Sequence, residues 1–191
     1  MKNQILEWNR SADAWRAKTF TDAMSRTAAG VCVVTTNGPA GRFGLTVSSM
    51  VSVSAEPPRL LVCINRSSIA HDAVLANGRF AINVLAAVQR GIAAAFAGRS
   101  ANGCHYRFDS DDWTDLAALP RLRDCSAWFR CAVDSTLEAG THTIIIGSVE
   151  RSESGADAAL LYTNRNYCRP WPLADTARAT GTNSVLERSI R

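Results

Sequence analysis

From residue 31 onward the chain consists mainly of short apolar runs, separated by turn signals, that do not alternate regularly with helices. The first run, Val31–Thr36, is rich in β-branched residues and ends at the turn signal Asn37-Gly38-Pro39. Further runs of strand-like composition follow: Arg42–Thr46, Met50–Ser54, Arg59–Ile64, Arg79–Val84, Trp128–Leu137 and His142–Arg151. Because a doubly wound parallel sheet needs helices between its strands, this pattern predicts a mainly β fold, a barrel with a few peripheral helices.

Helical spacing of apolar residues is confined to three stretches. They are Leu6–Ala29, Ser68–Asn77 and Val88–Ala97. The polar segment Arg99–Asp124 predicts a surface loop, and Met50–Ser54 alternates as a half-buried strand should. Two last short runs, Leu160–Thr163 and Tyr167–Arg169, close the ordered part of the chain.

The bulk composition predicts one soluble domain and excludes several classes of function. The chain has 191 residues, 47% of them apolar, and a net charge of +4. It has no Lys/Arg run typical of nucleic-acid binding, and no apolar run near the ~18 residues of a membrane span. The N-terminus lacks the apolar core of a secretory signal. The six cysteines form no CxxC pair, which predicts buried, reduced thiols in a cytoplasmic protein without a zinc site.

Two clusters of small polar residues are the candidate binding elements. The first is Thr46-Val47-Ser48-Ser49, and the second is Asn65-Arg66-Ser67-Ser68, which opens a predicted helix. Hydroxyls, an arginine and the free N–H groups of a helix start together favour a phosphate site. From the residues alone two plainer interpretations stay open, a polar β edge for the first cluster and an ordinary helix cap for the second.

The histidines do not indicate a metal site. His71, His105 and His142 have no acidic partner and no metal-ligand spacing, and His71 is predicted to lie on the surface or half-buried on its helix. His142 begins an apolar strand after a turn, where it would line a pocket mouth. The sequence has no nucleophile elbow, no P-loop and no Rossmann fingerprint.

In combination, four segments resemble the flavin reductase-like family, the NAD(P)H:flavin oxidoreductase components of two-component monooxygenases. The segments are FTDAMSRTAAGVCVVTT, GLTVSSMVSVSAEPPRLLVCINRSS, NGRFAINVLA and GTHTIIIGSVE. The resemblance covers Phe20 to Trp171 and implies an FMN-binding split β-barrel of Greek-key type that works as a homodimer. It divides the chain into a helical extension (1–19), the split-barrel domain (20–173) and a flexible tail (174–191).

The resemblance also implies roles for individual residues. Those expected to border the flavin ring are Thr46, Val47, Ser48 and Ser49. Those expected to hold the ribityl chain and phosphate are Asn65, Arg66, Ser67 and Ser68, with Arg99 as a weaker phosphate candidate. The strand containing Phe80, Ala81 and Asn83 would support the flavin, with Asn83 as a polar contact. His142 and Tyr167 would lie near the nicotinamide nucleotide, although Thr141 stands where the family often has an aspartate.

The implied reaction is hydride transfer from NADH or NADPH to FMN or FAD, which supplies reduced flavin to a partner monooxygenase. The protein would contribute geometry and exclusion of water, with no obligatory acid or base. Two alternatives stay open. One is a flavin- or haem-binding split barrel without turnover, and the other is a flavoprotein reductase of another acceptor such as a corrinoid.

Overall fold

The computed structural model describes residues 2–97, 108 and 110–173, with side chains described from residue 13 onward. Three helices and twelve strands are present in this part of the chain. The helices are α1 (Lys2–Met24), α2 (Ile69–Asn77) and α3 (Arg90–Phe96). The strands are β1 (Ala29–Gly30), β2 (Cys32–Thr36), β3 (Phe43–Val47), β4 (Val51–Ala55), β5 (Pro58–Asn65), β6 (Arg79–Val84), β7 (Trp113–Leu116), β8 (Leu119–Leu122), β9 (Ala127–Ala139), β10 (His142–Ser154), β11 (Leu161–Thr163) and β12 (Asn166–Cys168).

The main sheet has seven antiparallel strands in the order β3-β2-β6-β9-β10-β5-β4. A three-stranded sheet, β1-β11-β12, and the hairpin β7-β8 lie beside it. The predicted mainly β, split-barrel fold is confirmed, and so is the predicted hairpin of β2 with β3. None of the described helices combines the length and the hydropathy that a membrane span requires.

Strand β2 is buried along its whole length because both of its faces are covered. Cys32 and Val34 pack inside the barrel, whereas Val33, between them, faces a second apolar cluster outside the barrel wall. The inner cluster is centred on Phe80 and the outer one on Trp128, both fully buried. The barrel wall is therefore fixed from both sides.

The predicted surface loop 99–124 is wrong in part, since it contains the hairpin β7-β8. The hairpin buries Leu119 and Leu122, and its two turn residues, Ala117 and Ala118, have φ of 51° and 66°. Such turns are usually marked by Asn-Gly or Asp-Gly, so two alanines gave no turn signal. Residues 98–107 and 109 lie outside the described part of the chain.

Helix α1 and strand β4 also differ from expectation. Helix α1 ends at Met24 rather than at Ala29, and it runs without interruption across the predicted domain boundary at residue 19. Strand β4, an edge strand of the main sheet, is exposed rather than half-buried, and Val51 and Val53 are 54% and 47% exposed.

Candidate functional site

The site lies where the two halves of the open main sheet approach each other, just after strand β3 ends. Here the Ser49 hydroxyl accepts a hydrogen bond from the Cys63 N–H and donates one to the Cys63 carbonyl, both at 3.0 Å. The Thr46 hydroxyl donates to the Ala93 carbonyl of α3 at 2.8 Å. These bonds hold the segment 46–49 between β5 and α3, so a seam of the barrel is closed by side chains instead of by a strand ladder.

A groove runs along this seam, and we call it the seam groove. It comprises two adjoining cavities of about 280 Å³ each, which share Thr46, Val47 and Ser48 as a common wall. The structure brings seven predicted site residues together along it: Thr46, Val47, Ser48, Ser49, Asn65, His142 and Tyr167. Residues from four separate elements or their ends therefore converge on one surface.

The groove presents unused backbone donors. Ser48 is exposed, and within the described residues no acceptor is assigned to the backbone N–H groups of Ser48, Ser49 or Met50. An N–H group without an acceptor is costly when a ligand or side chain covers it, unless that group supplies an oxygen or a nitrogen. The wall is thus suited to a planar ligand with a polar edge.

His142 and Asn65 lie opposite each other in the pairing of β10 with β5, so their side chains project from the same face of the sheet. The Nδ1 atom of His142 is 2.9 Å from the Thr141 hydroxyl. No partner of His142 Nε2 is found in the described part of the chain, which leaves that nitrogen available to a ligand in the groove. Thr141, in place of the family's usual carboxylate, still orients the imidazole.

The other members of the second cluster lie beyond Asn65 and do not line the seam groove. The Asn65 side-chain oxygen accepts from both the N–H and the hydroxyl of Ser67 at 2.9 Å, and Ser68 caps α2 by accepting from the Ala70 N–H. Arg66 is held by Glu138 at 2.6 Å and by the Gly140 carbonyl at 2.8 Å. Its charge is therefore already matched by a carboxylate.

The Asn83 side chain does not reach the groove, which corrects the expected flavin contact. It is fully buried, donates to the Val33 carbonyl at 3.1 Å and accepts from the Leu122 N–H at 2.7 Å. Its amide fastens the hairpin β7-β8 to the barrel. Phe80 and Ala81 are also fully buried. They pack in the two apolar clusters and do not line the groove. The candidate Arg99 lies outside the described residues.

His71 is buried rather than half-buried or exposed as expected. It is 7% exposed, and its Nε2 lies 2.9 Å from the hydroxyl of buried Thr143 on β10, the residue after His142. Its Nδ1 lies 2.7 Å from a carboxylate oxygen of Asp72, so the expectation that the histidines have no acidic partner is wrong for His71. The ring thus connects α2 to the strand that carries His142. Within the described residues, no group of three or more metal-ligating side chains is present.

Sequence reasoning missed several residues of the groove, notably Tyr162, Arg165 and Cys63. The rings of Tyr162 and Tyr167 meet edge-on with centroids 5.3 Å apart, across the pair β11-β12. Arg165 occupies the turn of this hairpin with φ of 59° and forms an ion pair with Asp22 of α1. The missing signal was the pairing itself, because only the register of β11 with β12 places both tyrosines on one face.

Comparison with known proteins shows that the chain is similar to flavin reductases. The model of the flavin reductase like domain matches residues 24–170. A curated relative, the FMN reductase (NADH) RutF 2 of Methylorubrum extorquens strain PA1, is 42% identical over 157 residues, covering 81% of this chain and 90% of the relative.

Solved structures of flavin reductases have the same fold as this chain. The NADH:FAD oxidoreductase SgcE6 of Streptomyces globisporus C-1027, in complex with NAD and FAD fragments, superposes with a TM-score of 0.74 at 31% identity, covering 82% of this chain and 93% of that one. The styrene monooxygenase flavin reductase of Pseudomonas putida S12 gives 0.71 at 30% identity, covering 81% and 99%.

Proposed function

The chain belongs to the flavin reductase like domain family, and from that membership we propose that it is an NADH-dependent reductase of FMN or FAD. The observation that carries the proposal is the convergence, on one groove, of the segment Thr46–Ser49 with Asn65, His142 and Tyr167. Four elements or their ends that are far apart in the sequence meet there, and the residue types suit a flavin beside a nicotinamide nucleotide.

The groove fits a flavin on a specific structural ground. The open N–H groups of Ser48 and Ser49 match the oxygen and nitrogen atoms along the pyrimidine edge of the isoalloxazine ring. When bound, the flavin supplies the electronic chemistry, since it accepts a hydride from the nicotinamide. Donors at that edge stabilise negative charge on the reduced ring.

The remaining residues bind and orient. His142, which lines the groove and whose Nε2 has no partner among the described residues, positions the nicotinamide nucleotide or one of its phosphates. The rings of Tyr162 and Tyr167 form an aromatic wall that excludes water from one side. Thr46 and Ser49 act indirectly, because their hydroxyls are already bonded to Ala93 and Cys63 and fix the wall itself.

The flavin site would also use Ser67 and Ser68 for the phosphate. They precede α2, whose first N–H groups favour an anion, and Arg66 adds a charge close by if it exchanges Glu138 for phosphate. A Ser67→Ala/Ser68→Ala double variant is expected to lose flavin affinity. Unchanged flavin binding in that variant would exclude this phosphate assignment.

Reduced flavin would serve a separate monooxygenase. The relatives that support this include the styrene monooxygenase flavin reductase and BorF, the flavin reductase component of a two-component tryptophan halogenase. The protein would work in the cytoplasm as a homodimer, and the exposed edge strand β4, with Val51 and Val53, is a surface that a second copy could cover. Size-exclusion chromatography with light scattering tests the dimer.

The direct test is NADH oxidation by the purified protein with and without added FMN or FAD, followed by NADH absorbance. Fast turnover that depends on added flavin is expected, and the faster flavin identifies the preferred substrate. Anaerobic bleaching of flavin by NADH separates reduction from later reaction with oxygen. Flavin that stays oxidised under these conditions would contradict the proposal.

A further inference from the structure

A second cavity of about 350 Å³ adjoins the seam groove and shares Tyr167 with it. We call it the basic cavity. Buried Leu160 and half-buried Ala87 contribute apolar lining, and Arg90 and Arg169 lie on its rim. The backbone around this lining is fixed, because the Leu160 N–H donates to the Leu85 carbonyl at 2.7 Å and the Ala87 N–H donates to the Ala158 carbonyl at 2.9 Å.

Arg90 and Arg169 differ from the arginines nearest the groove in having no ion-pair partner among the described residues. Arg66 is paired with Glu138 and Arg165 with Asp22, whereas neither Arg90 nor Arg169 has a carboxylate partner in the described part of the chain. Two guanidinium groups beside one cavity, with no carboxylate to neutralise them, create a local positive potential. Guanidinium binds phosphate through paired, charge-assisted hydrogen bonds, so the chemistry that fits this rim is a phosphate or diphosphate.

We propose that the basic cavity binds the adenosine diphosphate half of a dinucleotide while its reactive half lies in the seam groove. The assignment rests on the proposed reductase function. Arg90 and Arg169 contact the phosphates, and the apolar lining formed by Leu160 and Ala87 receives the adenosine. Tyr167 lines both spaces, so one extended ligand passes from one to the other across its ring.

A mononucleotide has no adenosine diphosphate half to place in the basic cavity. FMN carries its only phosphate at the end of the ribityl chain, and Ser67-Ser68 at the start of α2 provide a separate place for it. A dinucleotide has a diphosphate and a second nucleoside that need their own partners. FAD and NADH share this adenosine diphosphate chemistry, but the inner phosphate of FAD is the FMN phosphate already assigned to Ser67-Ser68. NADH is therefore the dinucleotide expected to reach the basic cavity, and the experiment below tests both.

The first measurement is calorimetric titration of the purified protein with ADP, which needs no turnover. Arg90→Gln and Arg169→Gln are each expected to weaken ADP binding roughly tenfold, since each removes a charge-assisted contact. The matched control is Arg79→Gln. Arg79 is exposed, has no carboxylate partner among the described residues and lines neither cavity, so its loss changes the net charge equally. ADP affinity in this control is expected to stay within about twofold of the parent protein.

Comparing each dinucleotide with its mononucleotide shows which ligand places its adenosine half in the basic cavity. If it belongs to FAD, both arginine variants bind FAD more weakly but bind FMN unchanged. If it belongs to NADH, the variants raise KM for NADH but leave KM for reduced nicotinamide mononucleotide unchanged. Either pattern supports the proposal and names the ligand.

Absence of ADP binding to the parent protein would overturn the proposal, as would an equal loss of ADP affinity in the Arg79 control. Unchanged ADP binding in both arginine variants would overturn it as well. Failure of the reductase function is seen separately, as the absence of NADH oxidation by the parent protein with either flavin.

Discussion

At the scale of single residues, the hydroxyls of the segment Thr46–Ser49 have different tasks. Thr46 and Ser49 use theirs inside the protein, on Ala93 and Cys63, whereas Ser48 is exposed toward the groove. Sequence alone predicted that the segment borders a ligand but not this division. It depends on contacts with strands and helices tens of residues away, which no local pattern encodes.

His142 provides the first residue-scale prediction. We expect His142→Ala to lower kcat/KM for NADH roughly tenfold, mainly through KM, because the lost imidazole positions the donor. Flavin affinity should change by less than about twofold. Steady-state kinetics and flavin titration measure the two quantities.

The control for His142→Ala is His142→Gln, which keeps a hydrogen-bonding side chain at the same position and should recover part of the loss. A variant that weakens flavin and NADH equally would contradict the assigned role. Thr141→Val is expected to have a smaller effect of the same kind, since it removes only the partner of Nδ1.

The second residue-scale prediction concerns the thiols. Cys63 is half-buried and lines the groove, whereas burial raises the pKa of Cys32 and of Cys131 to about 12. Because the thiolate is the reactive form, Cys32 and Cys131 should stay unmodified by a disulfide reagent near pH 8, whereas Cys63 should react because it is accessible at the groove. Saturating FMN should slow the reaction of Cys63.

Peptide mapping after labelling identifies the modified residues. The Cys63→Ser variant serves as control, because the flavin-sensitive fraction of the labelling should disappear with it. Half-buried Cys168, which does not line the seam groove, should react at the same rate with and without FMN. FMN protection spread evenly over all thiols would argue against a flavin beside Cys63.

At the scale of elements, the sequence predicted most strands well because β-branched runs and turn residues marked them. It missed the hairpin β7-β8, whose turn is Ala117-Ala118, and it placed Asn83 at the flavin. Both errors have one cause. The hairpin packs on the barrel by tertiary contacts, and the buried amide of Asn83 that satisfies it looks, in sequence, like any polar residue of a strand.

We therefore expect Asn83→Ala to destabilise the protein by about 2–4 kcal/mol, because it leaves the buried Leu122 N–H and Val33 carbonyl without that side-chain partner. Urea unfolding monitored by circular dichroism measures the loss. The control is Asn37→Ala, which removes an exposed hydrogen bond to the same hairpin, at the Ala118 carbonyl, and should cost less than about 1 kcal/mol. Equal costs at the two positions would show that burial of the Asn83 amide does not decide its contribution.

At the scale of the whole molecule, the burial of two thiols in the inner apolar cluster makes stability depend on pH. In the folded protein the thiols of Cys32 and Cys131 keep their protons up to a pKa of about 12, against 9.0 for an ordinary thiol. Between these values the unfolded chain binds fewer protons than the folded one, so stability falls as the pH rises. The contribution of each thiol is fully present below pH 9.0 and is lost as the pH approaches 12.

The measurement is the free energy of unfolding at pH 8 and at pH 10 for the parent protein and for Cys131→Ala. The parent should lose about 1 kcal/mol more than the variant over this interval, since the variant lacks one thiol to titrate. Cys168→Ala, at a half-buried position, controls for the removal of a thiol as such. If Cys131→Ala lost as much stability between pH 8 and pH 10 as the parent protein, titration of the Cys131 thiol would not be the cause.

The order of strands, and with it the seam, also belongs to the whole molecule and was not predictable from local patterns. The contact between Ser49 and Cys63 joins the end of β3, which pairs with β2, to β5, which pairs with β10. The sequence identified the residues on each side of the seam, but it did not show that they face each other. The family resemblance supplied that arrangement.

The side-chain closure of the barrel has a consequence for turnover of the bound molecule. Because the Ser49 and Thr46 hydroxyls join the segment 46–49 to β5 and α3, the wall of the seam groove is held by contacts within the protein. A ligand in the groove then contacts a surface that is already formed, and its release leaves the apolar core intact. We expect such a scaffold to bind and release its ligand without rearrangement of the core.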